Sequence, residues 1–414
     1  MRRFEIKRFI PSIISIIILV CSIIVASKKY AEKMGKESPI SNADMGDFCM
    51  QTVKRSNEEE MRAVWIPFMT LDMNKEFSED LFKSKYKDLV KKAKENKMNT
   101  LVVHVHSHGD AMYPSKIFPW SHILKGEQGQ DPNFDPLKFM IDETHNEGME
   151  FHAWINPLRI RSNGKPDKFS ENNPYVIYEK ENNNYFIYSN GDIYYNPAYS
   201  EVRKLIIDGV KEIVSNYDVD AIHFDDYFYP KGALDIDKAA YDDYTKSFTD
   251  GSIPLDLIKW RMGNINTLIS GTYVAIKSIN PNVKFGISPA ANLDNLSEMG
   301  VDAESWGSLS GYVDYLCPQI YYSFENPALP FEKAANDWKK IVTCESIKVY
   351  MGLSLYKAGS DADDGTWKNS DDILKKQIEY GRNLGYNGFM LYSIDYLDKD
   401  NTKQEVENVL KVIN

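Results

Sequence analysis

From Met61 onward the chain repeats a two-part pattern eight times: a short apolar run of strand character, then a longer stretch whose apolar residues fall at helical spacing. The strand runs are Met61 to Pro67, Thr100 to His106, Glu150 to Asn156, Ala221 to Tyr227, Lys284 to Ala290, Asp314 to Tyr321, Lys348 to Tyr356 and Gly388 to Asp395. Most are continuous rather than alternating, as expected of parallel strands covered on the outside by helices. Between them, Ser78 to Lys97 carries Phe82, Tyr86, Leu89 and Ala93 on one stripe. Ser200 to Tyr217 does likewise with Val202, Ile206, Val210 and Ile213, and Ser200 is placed to cap that helix. Pro136 to Glu147, Asp256 to Ser278, a short piece near Glu304, Pro330 to Val342, Ser370 to Asn383 and Thr402 to Asn414 complete the helices. Eight strand-helix units predict an α/β fold, a (β/α)8 TIM barrel with enlarged βα loops. A doubly wound open sheet fits less well, because no glycine-rich phosphate loop follows the first strand.

Three domains follow from the distribution of apolar and polar residues: 1–27, 28–60 and 61–414. Phe9 to Ala26 is uncharged and mostly aliphatic, with Arg2, Arg3, Lys7 and Arg8 before it and Lys28 and Lys29 after it. That length crosses a bilayer, and the basic flank stays in the cytoplasm, so the segment is expected to be a signal anchor or signal peptide with the barrel outside the cell membrane. Residues 28–60 are polar and are expected to form a tether. The whole chain carries −11, which argues against nucleic acid as a partner. Cys21 lies in the apolar run, and Cys49, Cys317 and Cys344 have neither metal-ligand spacing nor the even count of a disulfide framework. No heptad pattern marks an oligomer, so a monomer is expected.

The long loops fall after the third and fourth strand runs, at 157–199 and 228–254, where a barrel keeps its active site. The first contains YFIYSNGDIYY at 185–195, which reads as a hairpin turned at Asn190-Gly191. The aromatic residues of these loops, with Trp120, Trp154, Trp306 and Trp367, suit stacking on the C–H faces of sugar rings, although a single aromatic of this kind is more often a core residue.

The fourth strand run continues into AIHFDDYFYP, Ala221 to Pro230. Side chains alternate along a strand, so Ile222 and Phe224 face the helices while His223, Asp225 and Tyr227 face the lumen. Asp225 then stands at the C-terminal rim. The same parity places His104 and His106, then Asp110, on the second strand; His152, Trp154 and Asn156, then Arg159, on the third; Cys317, Gln319 and Tyr321 on the sixth; and Asp395 on the eighth. A ring of carboxylates, amides, imidazoles and one guanidinium at one mouth points to hydrolysis of a polysaccharide by two carboxyl groups. Asp225 is expected to act as the charged carboxylate, with Glu325, four residues past Tyr321, as first choice for the acid and Asp226 as a further catalytic candidate. Substrate contacts are expected from His106, Asp110, His152, Trp154, Asn156, Arg159, His223, Tyr227, Tyr229, Gln319, Tyr321 and Asp395. His104-x-His106-x-His108 also fits a metal-dependent hydrolase such as a deacetylase, but the last four strands contain no His to complete a ligand set, so no metal and no cofactor are expected. A non-catalytic carbohydrate-binding barrel is the other alternative.

EMRAVWIP at 60–67, HGDAMYPS at 108–115, FHAWINPLRI at 151–160, YYNPA at 194–198, VDAIHFDDYFYP at 219–230, FGISPAAN at 285–292 and DYLCPQIYYSFE at 314–325 occur in one order. As a set they resemble the glycoside-hydrolase-like family 10 of bacterial cell-envelope proteins over essentially Met61 to Asn414. The resemblance implies a barrel hydrolase outside the membrane that cleaves glycosidic bonds, with cell-wall glycan as its substrate class. It also implies a catalytic centre at Asp225 and its neighbours, and sugar subsites shaped by HGDAMYPS, Asn156 to Arg159 and Gln319 to Tyr321. One departure is His106, where the family pattern leads to an Arg and a different local charge. Glu325 is a choice made from its position alone, not from the resemblance.

Overall fold

A computed structural model describes residues 60–73, 76–226, 228–230, 235–249 and 251–413. The expected anchor and, but for Glu60, the tether lie outside the described residues, as does Tyr227. Among the described residues no helix is long and apolar enough to cross a membrane.

The strands are β1 Met61–Ile66, β2 Thr100–His106, β3 Glu150–Ile155, β4 Arg159–Arg161, β5 Phe186–Ser189, β6 Asp192–Tyr195, β7 Ala221–Phe224, β8 Lys284–Ile287, β9 Tyr315–Leu316, β10 Lys348–Val349, β11 Met351–Leu353 and β12 Gly388–Leu391. Nine of them form one sheet in the order β10-β9-β8-β7-β3-β2-β1-β12-β11, with every neighbouring pair parallel. β10 and β11 are two halves of one run interrupted at Tyr350: the first half pairs with β9 and the second with β12. The Tyr350 N–H donates to Leu316 O and the Gly352 N–H to Pro318 O, both at 2.9 Å, so the run bridges the two ends of the sheet and closes an eight-stranded barrel. Closure removes the edges that an open parallel sheet would leave unpaired.

Eight helices wrap it: α1 Glu79–Glu95, α2 Pro136–Asn146, α3 Ser200–Asn216, α4 Leu257–Ile279, α5 Ala303–Ser308, α6 Phe331–Ile341, α7 Ile373–Asn383 and α8 Lys403–Leu410. α1 begins where the Ser78 hydroxyl accepts from the Leu81 N–H, an N-cap worth about 1 kcal/mol, and buries Phe82, Tyr86, Leu89, Val90 and Ala93. Tyr86 is tied to Thr144 of α2 through a buried hydroxyl pair at 2.8 Å. Ser200 does not cap α3: the cap position is Tyr199, and the Ser200 hydroxyl, already inside the first turn, bonds Glu201.

Two apolar layers result. The outer one, between strands and helices, takes Ile222, Phe224 and their counterparts; the inner one fills the lumen with Ala63, Trp65, Val102, Trp154, Tyr315 and Met390, among others. Gly286 on β8 leaves room for the Tyr315 ring, since a Cβ there would meet it at 1.9 Å. The loop after β3 forms a separate antiparallel sheet, β4-β6-β5. Its β5-β6 hairpin turns at Asn190 and Gly191, both at positive φ, as the sequence predicts.

Candidate active site

The strand ends converge on Asp225. β7 ends at Phe224, so Asp225 is the first residue beyond the ladder, buried to 3 % exposure with its carboxylate among side chains from β3. Trp154 Nε1 donates to Asp225 Oδ2 at 3.0 Å, and the Asn156 amide donates to the same oxygen. The Asn156 carbonyl oxygen accepts from the Arg159 guanidinium, whose Nε donates to Ser107 O at 2.8 Å. Trp154 also lies flat on His104, with ring centroids 3.8 Å apart. Trp154 and Asn156, the second held in turn by Arg159, thus fix a single carboxylate and the aromatic wall beside it.

Asp226 opens onto the same cavity, a space of about 290 Å³ lined also by Trp65, Tyr321, Tyr356 and Tyr392. Burial pushes its carboxyl above the usual aspartate value, while a hydrogen bond from Gln319 and the charge of Arg159 pull the other way. Gln319 is itself held by the Ser288 carbonyl at 2.9 Å. Two adjacent carboxyl groups therefore meet one cavity from unlike surroundings, the first ringed by donors and the second poorly hydrated.

Beneath the cavity a hydrogen-bonded chain runs down the lumen. The Trp65 indole is only a donor, so it gives its hydrogen to His223 Nε2 at 3.3 Å, and Ser288 Oγ lies 3.0 Å from the same nitrogen. Burial keeps His223 neutral, which leaves its proton on Nδ1, facing Tyr315 Oη at 2.9 Å. Tyr315 then donates to His152 Nδ1 at 3.1 Å, and His152 Nε2 donates to Glu150 at 3.1 Å. Burial raises the Glu150 carboxyl, but His152 and Lys284 outweigh it and hold it at about 2. His152 and His223 are thus lumen supports beneath the cavity rather than parts of its wall.

The other expected site residues are distributed as follows. Trp154, Asn156, Arg159, Gln319 and Tyr321 gather about the two carboxyl groups. His106 does not: the ladder between β2 and β3 shifts register between His104 and His106, and the His106 ring meets Phe118 at 4.5 Å. Desolvation lowers its pKa to about 4, so it is neutral and the local charge that an Arg would bring is absent. Asp110 is fully buried beneath the loop, accepting from His122 Nδ1 at 2.8 Å and Gln128 Nε2 at 3.1 Å. Tyr229 is 2 % exposed under the Arg261 guanidinium, which forms a buried two-point pair with Asp237 and ties down the loop after β7. Asp395 accepts from Thr70 Oγ1 at 2.5 Å and Ser393 Oγ at 3.2 Å, bracing the loops after β1 and β12.

Glu325 stands apart. It lines a different cavity, with Glu332 and Lys376 between the starts of α6 and α7, because the chain leaves the barrel wall after Gln319 and strand parity no longer carries. Trp306 and Trp367 are fully buried core residues, so of the four tryptophans expected to meet sugar only Trp154 lines the cavity of the two carboxyl groups. The expectation missed Trp65, Tyr356, Tyr392 and Tyr396. Trp65 was accessible by parity with the inward-facing Met61 and Ala63; Tyr356 and Tyr396 follow their strands in short 3-10 turns that carry no such signal. His104, His106 and His108 pack against Trp154, Phe118 and Phe68 in turn, and among the described residues no group of three or more His, Cys, Asp or Glu is arranged to hold a metal ion.

A closed barrel of parallel strands with paired carboxyl groups and aromatic rings at its C-terminal mouth is an arrangement that glycoside hydrolases use. Residues 60–369 match the family described as "Glycosyl hydrolase-like 10", and the chain belongs to that family. It is 34 % identical over 368 residues to "Glycosyl hydrolase YngK" of Bacillus subtilis (strain 168), covering 83 % of this chain and 70 % of that one. It is also 34 % identical over 336 residues to "Glycosyl hydrolase DigH" of Escherichia coli (strain K12), covering 75 % of each. In fold it is similar to the catalytic domain of the β-amylase from Paenibacillus polymyxa, with a TM-score of 0.57 and 11 % identity over 85 % of this chain and 98 % of that one. The PgaB (BpsB) glycoside hydrolase domain from Bordetella bronchiseptica gives a TM-score of 0.54 at 12 % identity, covering 86 % of this chain and all of the other.

Proposed function

We propose that this chain is a glycosidase that hydrolyses the O-glycosidic bonds of a polysaccharide outside the cell membrane, with cell-wall glycan strands as the substrate class. The observation that carries the reading is the unequal pair Asp225 and Asp226 at one aromatic-walled cavity. Glycoside hydrolysis needs one carboxyl group that keeps its proton until the leaving oxygen takes it, and one carboxylate facing the positive charge that grows on the anomeric carbon. Asp226, with its proton affinity raised by burial, fits the acid. Asp225, positioned by Trp154 and Asn156, fits the carboxylate. Trp65, Trp154 and the tyrosines present ring faces to the sugar, and Gln319 orients Asp226. The basic-flanked apolar run Phe9 to Ala26 supports a location outside the membrane, reached through an anchor or a cleaved signal.

The test is product release from purified, peptide-stripped cell-wall glycan by the 61–414 domain, with Asp225→Asn, Asp226→Asn and added chelator as comparisons. Shortened glycans from the wild type, absent in both variants and indifferent to chelator, are the expected result. Binding without cleavage by the wild type would make the barrel a glycan-holding module, and loss of activity on chelation would replace carboxyl chemistry with metal chemistry.

A further inference from the structure

We propose that a second cavity beside the catalytic one is a carboxylate-recognition subsite for the sugar adjoining the scissile bond, so that the preferred glycan is an acidic one. The inference rests on the glycosidase reading and specifies its substrate. The cavity has a volume of about 350 Å³, enough for one sugar ring with a short substituent, and its lining includes Phe68, His122, Arg159, Asn163 and Lys165.

Its place follows from shared residues. Arg159 lines this cavity and also holds Asn156, the residue that donates to Asp225. The two spaces are separated by a stack of rings: Trp154 on the catalytic side, His104 flat against it at 3.8 Å, and Phe68 edge-on to His104 at 5.4 Å. A glycan with its cleaved bond at Asp225 and Asp226 reaches across that stack with its next residue. The Phe68 ring, with the Arg159 guanidinium 5.5 Å from its centre, offers that residue an apolar face.

The charge is the informative part. The chain carries −11 overall, yet this cavity is lined by two permanent cations, Arg159 and Lys165, against one carboxylate, Asp72. Lys165 also contacts Asp167 at 2.8 Å, and Asp72 lies within electrostatic reach of Lys85. Asp110 fixes His122 through its Nδ1 at 2.8 Å, so the ring's other nitrogen is oriented by a buried carboxylate rather than left to rotate. His108 adds no charge, since burial lowers its pKa to about 3. A guanidinium, an ammonium and an amide about a small aromatic-floored cavity match a sugar-borne carboxylate, which accepts from several donors at once. In cell-wall glycan that group is the lactyl ether carboxylate; in a polyuronate it is the ring C6 carboxylate.

Binding, not turnover, tests this, in the Asp226→Asn domain so that no glycan is consumed. The probes are peptide-stripped cell-wall oligosaccharides, the same oligosaccharides after chemical reduction of their carboxyl groups to alcohols, and an oligogalacturonide, each titrated calorimetrically. The reduced glycan is expected to bind about tenfold or more weakly than the carboxylated one. Lys165→Gln is expected to weaken binding of the carboxylated glycan severalfold and leave the reduced glycan unchanged. Tight binding of the oligogalacturonide alone would keep the carboxylate subsite and move its source to a uronic acid. Equal binding of carboxylated and reduced glycan, or a Lys165→Gln effect that is the same on both, would overturn this proposal while leaving the glycosidase reading intact. Binding of none of the three would overturn both.

Discussion

The indole Nε1–H of Trp154 points at Asp225 Oδ2, 3.0 Å away, while the same ring lies flat on His104. One side chain therefore both positions the carboxylate and presents a face to the cavity. Trp154→Phe keeps an aromatic ring and deletes only the donor. Hydrogen bonds to charged groups contribute about 1.5–3 kcal/mol, so kcat is expected to fall about 10- to 100-fold. KM should change little if the bond serves the charge that develops in the transition state. Steady-state kinetics on a defined oligosaccharide decide it; a loss confined to KM would make Trp154 a binding surface only.

Asp226 sets the alkaline limit of activity if it is the acid. Burial raises its pKa, so the carboxyl holds its proton further up the pH scale than a free aspartate, and rate is lost as pH rises through that raised value. Asp226→Asn is expected to abolish that limb together with most activity on natural glycan. Aryl glycosides whose leaving group departs without protonation should still react in this variant, whereas Asp225→Asn should fail on both substrates. Equal losses on both substrates in Asp226→Asn would assign the acid elsewhere.

Much of this arrangement was legible along the chain because a strand imposes a period of two and a helix one of 3.6. All eight strand runs and all eight helices are present, and parity correctly sorted Ile222 and Phe224 outward and His223 inward. Parity failed where the backbone is irregular. The register shift after His104 takes His106 to Phe118, and the chain leaves the barrel wall after Gln319, so a count of four from Tyr321 said nothing about where Glu325 points. Residues brought in by short turns, such as Tyr356 and Tyr396, have no periodic signature, and Asp110 and Asp395 were read as site groups when their partners, His122 and Thr70, come from elsewhere in the chain.

Glu325→Gln is expected to leave hydrolysis within about twofold of wild type, as surface changes away from a reacting centre usually do. The residue lines a separate cavity beside Lys376. Comparing kcat/KM of this variant with that of Asp226→Asn on the same glycan separates the two candidates for the acid. A collapse of activity in Glu325→Gln would require the loop after β9 to fold inward over bound substrate.

Glu405 gives a test of stability independent of catalysis. The residue is 2 % exposed, its carboxyl lies at the start of α7, where it accepts from the Leu374 N–H, and burial lifts its pKa from 4.5 to about 7 despite that bond. Between those two values the folded chain keeps a proton that the unfolded chain has released, so stability falls as pH rises across the window. The loss by pH 8 is on the order of 3 kcal/mol. Glu405→Gln retains an oxygen for the Leu374 N–H and cannot ionise. Its melting temperature is expected to match wild type near pH 4 and to exceed it increasingly up to pH 8, with no further gain above. A difference of the same size at every pH would mean that packing, not the buried charge, distinguishes the two side chains.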